Sequence, residues 1–255
     1  MNTRIRLALV ALLAIGLVLL GQQTVAAQPE VPIPDINLQV GTGDDPEQLV
    51  GMLQLLLLLS ILSLAPAFLI LMTSFTRIVI VLGLVRNAMA TQQIPPNQVV
   101  VGLALFLTFF VMSPVLAEIN EEAITPYLAE EILFEEAFEE GSRPIREFML
   151  NNTREKDLEL FIEIGNLDDP EDREAVNLSA LIPAFVLSEL KTAFQMGFIL
   201  FVPFLVVDMV VASALMSMGM FMLPPVIVSL PFKILLFVLV DGWYLVVQSL
   251  VESYA

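Results

Sequence analysis

The 255-residue chain contains no cysteine and no histidine. Their absence removes disulfides, thiolate nucleophiles, imidazole bases and the usual zinc ligands together. Basic residues are scarce as well: 11 Lys and Arg stand against 28 Asp and Glu, a formal net charge of -17. Nucleic acid binders carry the opposite balance, so nucleic acid is not an expected partner. Charged residues of both signs make up only 15% of the chain, where a soluble domain holds about a quarter. What fills the chain instead is apolar, 57% of residues, with a mean hydropathy of +0.84. No nucleophile stands beside a base, so no catalytic residue, cofactor or metal set is expected, and the chain does not read as an enzyme.

The apolar residues are organised in blocks. Residues 1–27 carry Arg4 and Arg6, an apolar run from Leu7 to Leu20 and small residues at Thr24-Val25-Ala26-Ala27, the layout of a cleaved signal peptide. An uncleaved first membrane helix is the alternative, but the run falls short of the ~20 residues a span needs. Residues 28–48 hold Pro29, Pro32, Pro34, Pro46, Gly41 and Gly43 and are expected to be a flexible N-terminal segment.

Residues 49–117 form a first apolar hairpin. Its arms are Leu49 to Met72, with a kink expected at Pro66, and Val99 to Leu116. Arg77 and Arg86, with no acid between Thr73 and Gln98, mark the joining stretch as the cytoplasmic link.

Residues 118–180 are an acidic insert expected on the extracytoplasmic side. Glu118 to Asn177 hold 19 acidic residues against Arg143, Arg146, Arg154, Lys156 and Arg173. Phe134, Phe138, Phe148, Leu158, Phe161 and Ile162 recur at helical intervals, which predicts short amphipathic helices. Residues 181–255 form a second apolar hairpin, with arms Phe194 to Val211 and Val226 to Val251 around an uncharged link, Met216 to Pro225. The expected fold is all-α: two apolar, membrane-associated helical hairpins around an acidic, mainly helical insert.

That uncharged link holds Met216, Met218, Met220 and Met222, with Phe221 among them and Gly219 and Pro224-Pro225 breaking the helix. Thioether chains are flexible and polarizable, suited either to filling core gaps or to closing a pore around varied peptides. Asp208 and Lys233 lie inside the apolar arms, where an unpaired charge costs at least ~2.5 kcal/mol. Their midpoint falls at Met220-Phe221, so a hairpin places them at equal depth, as an ion pair or as two groups facing water separately. Glu189, Lys191 and Asp241, near the other ends of the hairpin, are expected to pack or cap between subunits, with a proton relay as the sharper alternative.

Several strings resemble the FliP family, the flagellar biosynthesis proteins of the type III secretion export gate. In the first hairpin they are Met72-Thr73-Ser74-Phe75-Thr76-Arg77-Ile78, Gln92-Gln93-Ile94-Pro95-Pro96-Asn97-Gln98 and Phe106-Leu107-Thr108-Phe109-Phe110-Val111-Met112-Ser113-Pro114. In the second they are Glu189-Leu190-Lys191-Thr192-Ala193-Phe194-Gln195-Met196-Gly197 and Pro231-Phe232-Lys233-Ile234-Leu235-Leu236-Phe237-Val238-Leu239-Val240-Asp241-Gly242-Trp243.

The resemblance implies a homo-oligomer that joins FliQ and FliR in a closed gate. FlhA and FlhB are implied as further membrane partners, membrane lipid as a surrounding, and unfolded flagellar proteins as cargo. It also implies a helical cone held largely on the periplasmic side of the bacterial inner membrane, within the flagellar basal body. The family's methionine gasket aligns with Met220, Phe221 and Met222, Phe221 standing where the family also carries methionine. For Arg77 and Arg86 the resemblance adds contact with another gate component. The competing reading is a small transporter or proton-coupled channel that uses Asp208, Glu189 and Asp241. Transporters commonly carry internal repeats, and no repeat is evident between the two hairpins.

Overall fold

The computed structural model describes residues 46–91, 94–167 and 176–254, with side chains from residue 51 onward. The signal peptide expected at 1–27, and the flexible segment as far as residue 45, lie outside them. Among the described residues there are nine α-helices, one π-helical turn and no strand.

The chain divides into two compact units, Met1–Ile61 and Leu62–Ala255. The described part of the first is the leading stretch of helix α1 (Pro46–Met72), which begins three residues inside the segment read as flexible. It is leucine-rich, and the Ser60 hydroxyl donates to the Leu56 carbonyl at 2.7 Å, so that polar group is satisfied within the helix.

The second unit holds α2 (Phe75–Ala88), α3 (Asn97–Ile119), the π-helical turn (Asn120–Ile124), α4 (Thr125–Leu128), α5 (Phe134–Asn152), α6 (Glu155–Ile164), α7 (Leu178–Ser217), α8 (Pro225–Leu239) and α9 (Gly242–Glu252). Gly51–Met72, Asn97–Leu128 and Leu178–Ser217 are each long and apolar enough to cross a membrane. α8 and α9 together make a fourth such span if the pair, bent by 62°, counts as one.

The structure departs from the sequence reading at the link between the first two apolar arms. The stretch from Thr73 to Gln98, read as the cytoplasmic link, contains α2, one face of which is deeply buried. Ile78, Val81, Leu82 and Val85 recur at helical spacing and are at most 1% exposed, so one stripe of α2 faces inward. Around it pack Ala104 and Leu107 of α3, Ala193 and Phe204 of α7, Phe237 of α8, and Val246 and Leu250 of α9. α2 ends at Ala88 and α3 begins at Asn97.

Gly197 permits the closest approach in this core. A Cβ built there would lie 2.2 Å from Leu84 Cδ1, so any larger residue requires the Leu84 side chain to move. The last apolar segment is also broken, where the sequence reads as continuous from Val226 to Val251. Asp241 adopts φ 51°, ψ 54°, and a Cβ on Gly242 would lie 2.2 Å from the Phe237 ring. The chain therefore turns sharply there.

The insert is helical, with its apolar residues divided between two fates. Phe148 and Leu158 pack with Met149, Leu150, Leu181 and Phe185 in a second core cluster. Phe134 and Phe138 remain exposed. Asp157 and Ser188, both buried, join at 2.6 Å and fasten α6 to α7. α7 starts where the Asn177 side chain accepts from the Ser179 amide at 3.0 Å, an N-cap that satisfies a free helix donor.

Candidate functional site

Two ion pairs, one fully and one partly buried, lie where α2 meets the second hairpin, one near each end. At the first end Arg77, 3% exposed, meets Glu189, fully buried. The guanidinium donates to both carboxylate oxygens, from Nε at 3.0 Å and from a shorter Nη2 contact. The geometry is the two-pronged fit of a planar guanidinium to a carboxylate. The remaining donors are also used: Nη1 reaches the Ser253 carbonyl at 3.0 Å and the Ser253 hydroxyl at 2.9 Å, and Nη2 reaches Asn152 Oδ1 at 3.4 Å.

Tyr254 closes this cluster. Its hydroxyl donates to Glu189 Oε2 at 2.5 Å and to the Ser74 carbonyl at 3.3 Å. Its ring lies 3.8 Å from the Arg77 guanidinium carbon and stacks on Phe148, a cation-π contact with little water to weaken it. Burial and then the adjacent Glu189 carboxylate hold the Tyr254 phenol far above its ordinary pKa, so it stays a hydrogen-bond donor at physiological pH.

At the other end Lys233, 2% exposed, places Nζ 2.6 Å from Asp208 Oδ2 and 3.3 Å from the Ala88 carbonyl. Ala88 is the last residue of α2, so the ammonium also sits at the negative end of that helix's dipole. The Ser229 hydroxyl donates to Asp208 Oδ1 at 2.5 Å. Ser229, Lys233 and Phe237 are the buried residues of α8 and recur every four positions on its inner face.

Beyond Asp208, α7 ends in a Schellman turn at the methionines. The Met220 amide reaches back to the Leu215 carbonyl at 2.9 Å and the Gly219 amide to the Met216 carbonyl at 3.0 Å. Gly219 takes φ 75°, open to glycine at little cost. Leu215 is buried and anchors the turn. The thioethers point away from the protein: Met216, Met218, Met220, Phe221 and Met222 are all exposed, Met222 at 98%. Leu223 and the Pro224-Pro225 pair then lead into α8.

The sequence candidates thus fall into different settings. Asp208 and Lys233 meet. Arg77, read as a charge on a cytoplasmic link, and Glu189, read as facing other subunits, meet each other inside the chain. Arg86 is half-buried and donates to the Pro95 carbonyl at 3.4 Å, bracing the stretch between α2 and α3. Lys191 and Asp241 are both exposed. Among the described residues no cluster of three acids converges to hold a metal ion.

Tyr254, Ser253, Asn152 and the Ala88 carbonyl were not legible as partners, because tertiary folding alone brings them in. Ser229 was legible in principle, one helical turn before Lys233.

The sequence profile of the FliP family matches residues 58–250. The flagellar biosynthetic protein FliP of Bacillus subtilis (strain 168) is 58% identical over 217 residues, covering 85% of this chain and 98% of that protein. The protein of the same name from Pectobacterium carotovorum subsp. carotovorum is 57% identical over 201 residues, 79% of this chain and 78% of its own. That of Aquifex aeolicus (strain VF5) is 53% identical over 224 residues, 87% of this chain and 92% of its own.

Proposed function

We propose, from the premise that this chain belongs to the FliP family, that it is a pore-forming subunit of a flagellar protein export gate in the bacterial inner membrane. Copies of the chain assemble around a hole, with FliQ and FliR as companion subunits and FlhA and FlhB as neighbours in the apparatus. Unfolded flagellar proteins pass through, and much of the assembly lies on the periplasmic side. The chain performs no reaction. Its work is to hold a closed constriction that yields to many polypeptide sequences.

The observation that carries this reading is the methionine turn. An exposed cluster of Met216, Met218, Met220, Phe221 and Met222 is costly on a free surface, and it is held at the end of a hairpin whose arms are joined by the partly buried Asp208–Lys233 pair. Soft side chains on a stiff support suit a seal: the support sets the position, and the thioethers repack around whatever passes. The ion pair's role is then to keep the turn at a fixed depth. Arg77 and Glu189 fix α2 to the same hairpin, so the first hairpin is the platform for the second.

The test is the replacement of Met220, Phe221 and Met222 together by Ala. The complex should reach its normal size, and inner membranes containing it should leak small ions, since a thinner ring of side chains excludes them less well. Membranes as tight as wild type at equal complex levels would place the closure elsewhere. The transporter reading draws less support, because Glu189 and Asp208 are each engaged by a cation.

A further inference from the structure

The second hairpin carries six ionisable side chains other than tyrosine: Glu189, Lys191, Asp208, Lys233, Asp241 and Glu252. Four are engaged within the chain. Glu189 binds Arg77, Asp208 binds Lys233, and Glu252 accepts from Gln248 at 2.7 Å. Among the described residues, Lys191 and Asp241 alone in this set have neither a hydrogen bond nor an ion pair. They have opposite charge, and both stand on apolar ground.

Lys191 lines an open depression of about 520 Å³ together with Leu84 of α2 and Phe194, Gln195, Gly197, Phe198 and Phe201 of α7. Asp241 is at the elbow between α8 and α9, flanked by exposed Leu239, Val240 and Tyr244. The elbow is stiff. Asp241 takes a left-handed backbone conformation that few non-glycine residues adopt, Gly242 is pressed against Phe237, and Phe237 meets Trp243 edge to face at 5.4 Å. A sharp turn that presents a carboxylate among exposed bulky apolar side chains has the form of an inserting knob.

We infer that the elbow around Asp241 of one copy seats in the aromatic depression beside Lys191 of the next, with Asp241 and Lys191 forming an ion pair between copies. The occupant is a second copy of this chain because the knob supplies the one charge the depression lacks, and each charge would otherwise stay unpaired on an apolar surface. The inference rests on the proposal that copies assemble, and it names the contact.

The geometry adds a constraint. With Asp208 and Lys233 level, Lys191 lies about 25 Å along α7 and Asp241 about 12 Å along α8, in the same direction. Parallel copies therefore meet only if neighbours are staggered or tilted by about 13 Å along the hairpin. Such a contact joins unlike patches head to tail.

The chain has no native cysteine, which makes the test free of background. Two differently tagged full-length copies, one carrying Lys191→Cys and the other Asp241→Cys, are co-expressed and treated in membranes with a short bismaleimide. The expected product is the mixed-tag adduct, without adducts between two Lys191→Cys copies or two Asp241→Cys copies. In parallel, Lys191→Asp or Asp241→Lys alone should lower the assembled fraction about tenfold by placing like charges together, and the two changes in one chain should restore it.

Complexes of wild-type size that give no mixed adduct would overturn this pairing, leaving the depression to lipid or another subunit and the gate proposal intact. A wild-type chain that extracts only as a monomer would overturn both.

Discussion

The two links between apolar arms have opposite fates. The first, around Arg77 and Arg86, carries the only charges of its hairpin and reads as polar, yet it forms α2, with Ile78, Val81 and Leu82 at 0% exposure. The second, from Met216 to Pro225, has no charge at all and reads as greasy, yet Phe221 and Met222 are among the most exposed side chains. Charge has gone inside and grease outside.

The first inversion is possible because Arg77 finds an acceptor for each of its three nitrogens. A buried charge is tolerated when its hydrogen bonds are completed. The second follows from the turn itself. The Schellman closure at Gly219 leaves Phe221 and Met222 beyond the packed arms, 79% and 98% exposed.

The sharpest way to break the comparison is at the first link. Glu189→Leu leaves the Arg77 guanidinium, 3% exposed, without its carboxylate partner, which costs about 3–5 kcal/mol. The expected result is little folded protein in the membrane fraction and a much lower Tm in detergent for what remains. Adding Arg77→Met should recover a large part of the loss, since removing both partners leaves no orphan charge. A Glu189→Leu protein that melts like wild type would show that α2 is not held by its charge. Replacement of the three exposed gate residues by Ala, in the same assay, should move Tm by the effect of ~0.5 kcal/mol or less expected of surface changes.

A smaller effect is expected where α2 crosses α7. Gly197→Ala puts a methyl group 2.2 Å from Leu84 Cδ1 and 3.2 Å from Leu84 Cβ. Leu84 must move, at a cost of about 2 kcal/mol within the range for overpacking. Because the clash is with one side chain, Leu84→Ala should relieve it, and the double variant should be more stable than the two single losses predict together. Simple addition in that double-mutant cycle would mean the crossing is set by something other than the Gly197–Leu84 contact.

The contrast between the links also explains what could be read from the sequence. The all-α class and the long apolar helices were legible, because apolar length is a local property; for Asp208 and Lys233 the sequence left an ion pair and two separately solvated groups both open, and the structure places Lys233 Nζ 2.6 Å from Asp208 Oδ2. α2 was missed for a definite reason. Its inner stripe of Ile78, Val81, Leu82 and Val85 has helical spacing, but two arginines and no acid over the same stretch invited a topological reading. Nothing local reveals that Arg77 is matched by an acid 112 positions later. The break at Asp241 was hidden in the same way, since an apolar run does not record a single left-handed residue. Ser253 and Tyr254 join the buried cluster only because α9 folds back over Phe148 and Ser74.

A smaller effect again is expected at the base of the second link, and it separates backbone from packing. A Cβ at Gly219 would meet nothing within 4 Å, so Gly219→Ala introduces no clash. What it does introduce is a side chain at φ 75°, a conformation disfavoured for L residues by about 1–2 kcal/mol. Thermal unfolding should therefore register about 1 kcal/mol, less than at Gly197, where the obstacle is steric. Asn enters the left-handed region more readily than Ala, so Gly219→Asn should recover part of the loss, although its side chain is larger. At Gly197 the order reverses, and Asn should be worse than Ala because the obstacle there is volume. If Asn and Ala rank the same way at both glycines, the methionine turn is not held by the left-handed residue at its base, and the depth of the exposed cluster must be set by the Asp208–Lys233 pair alone.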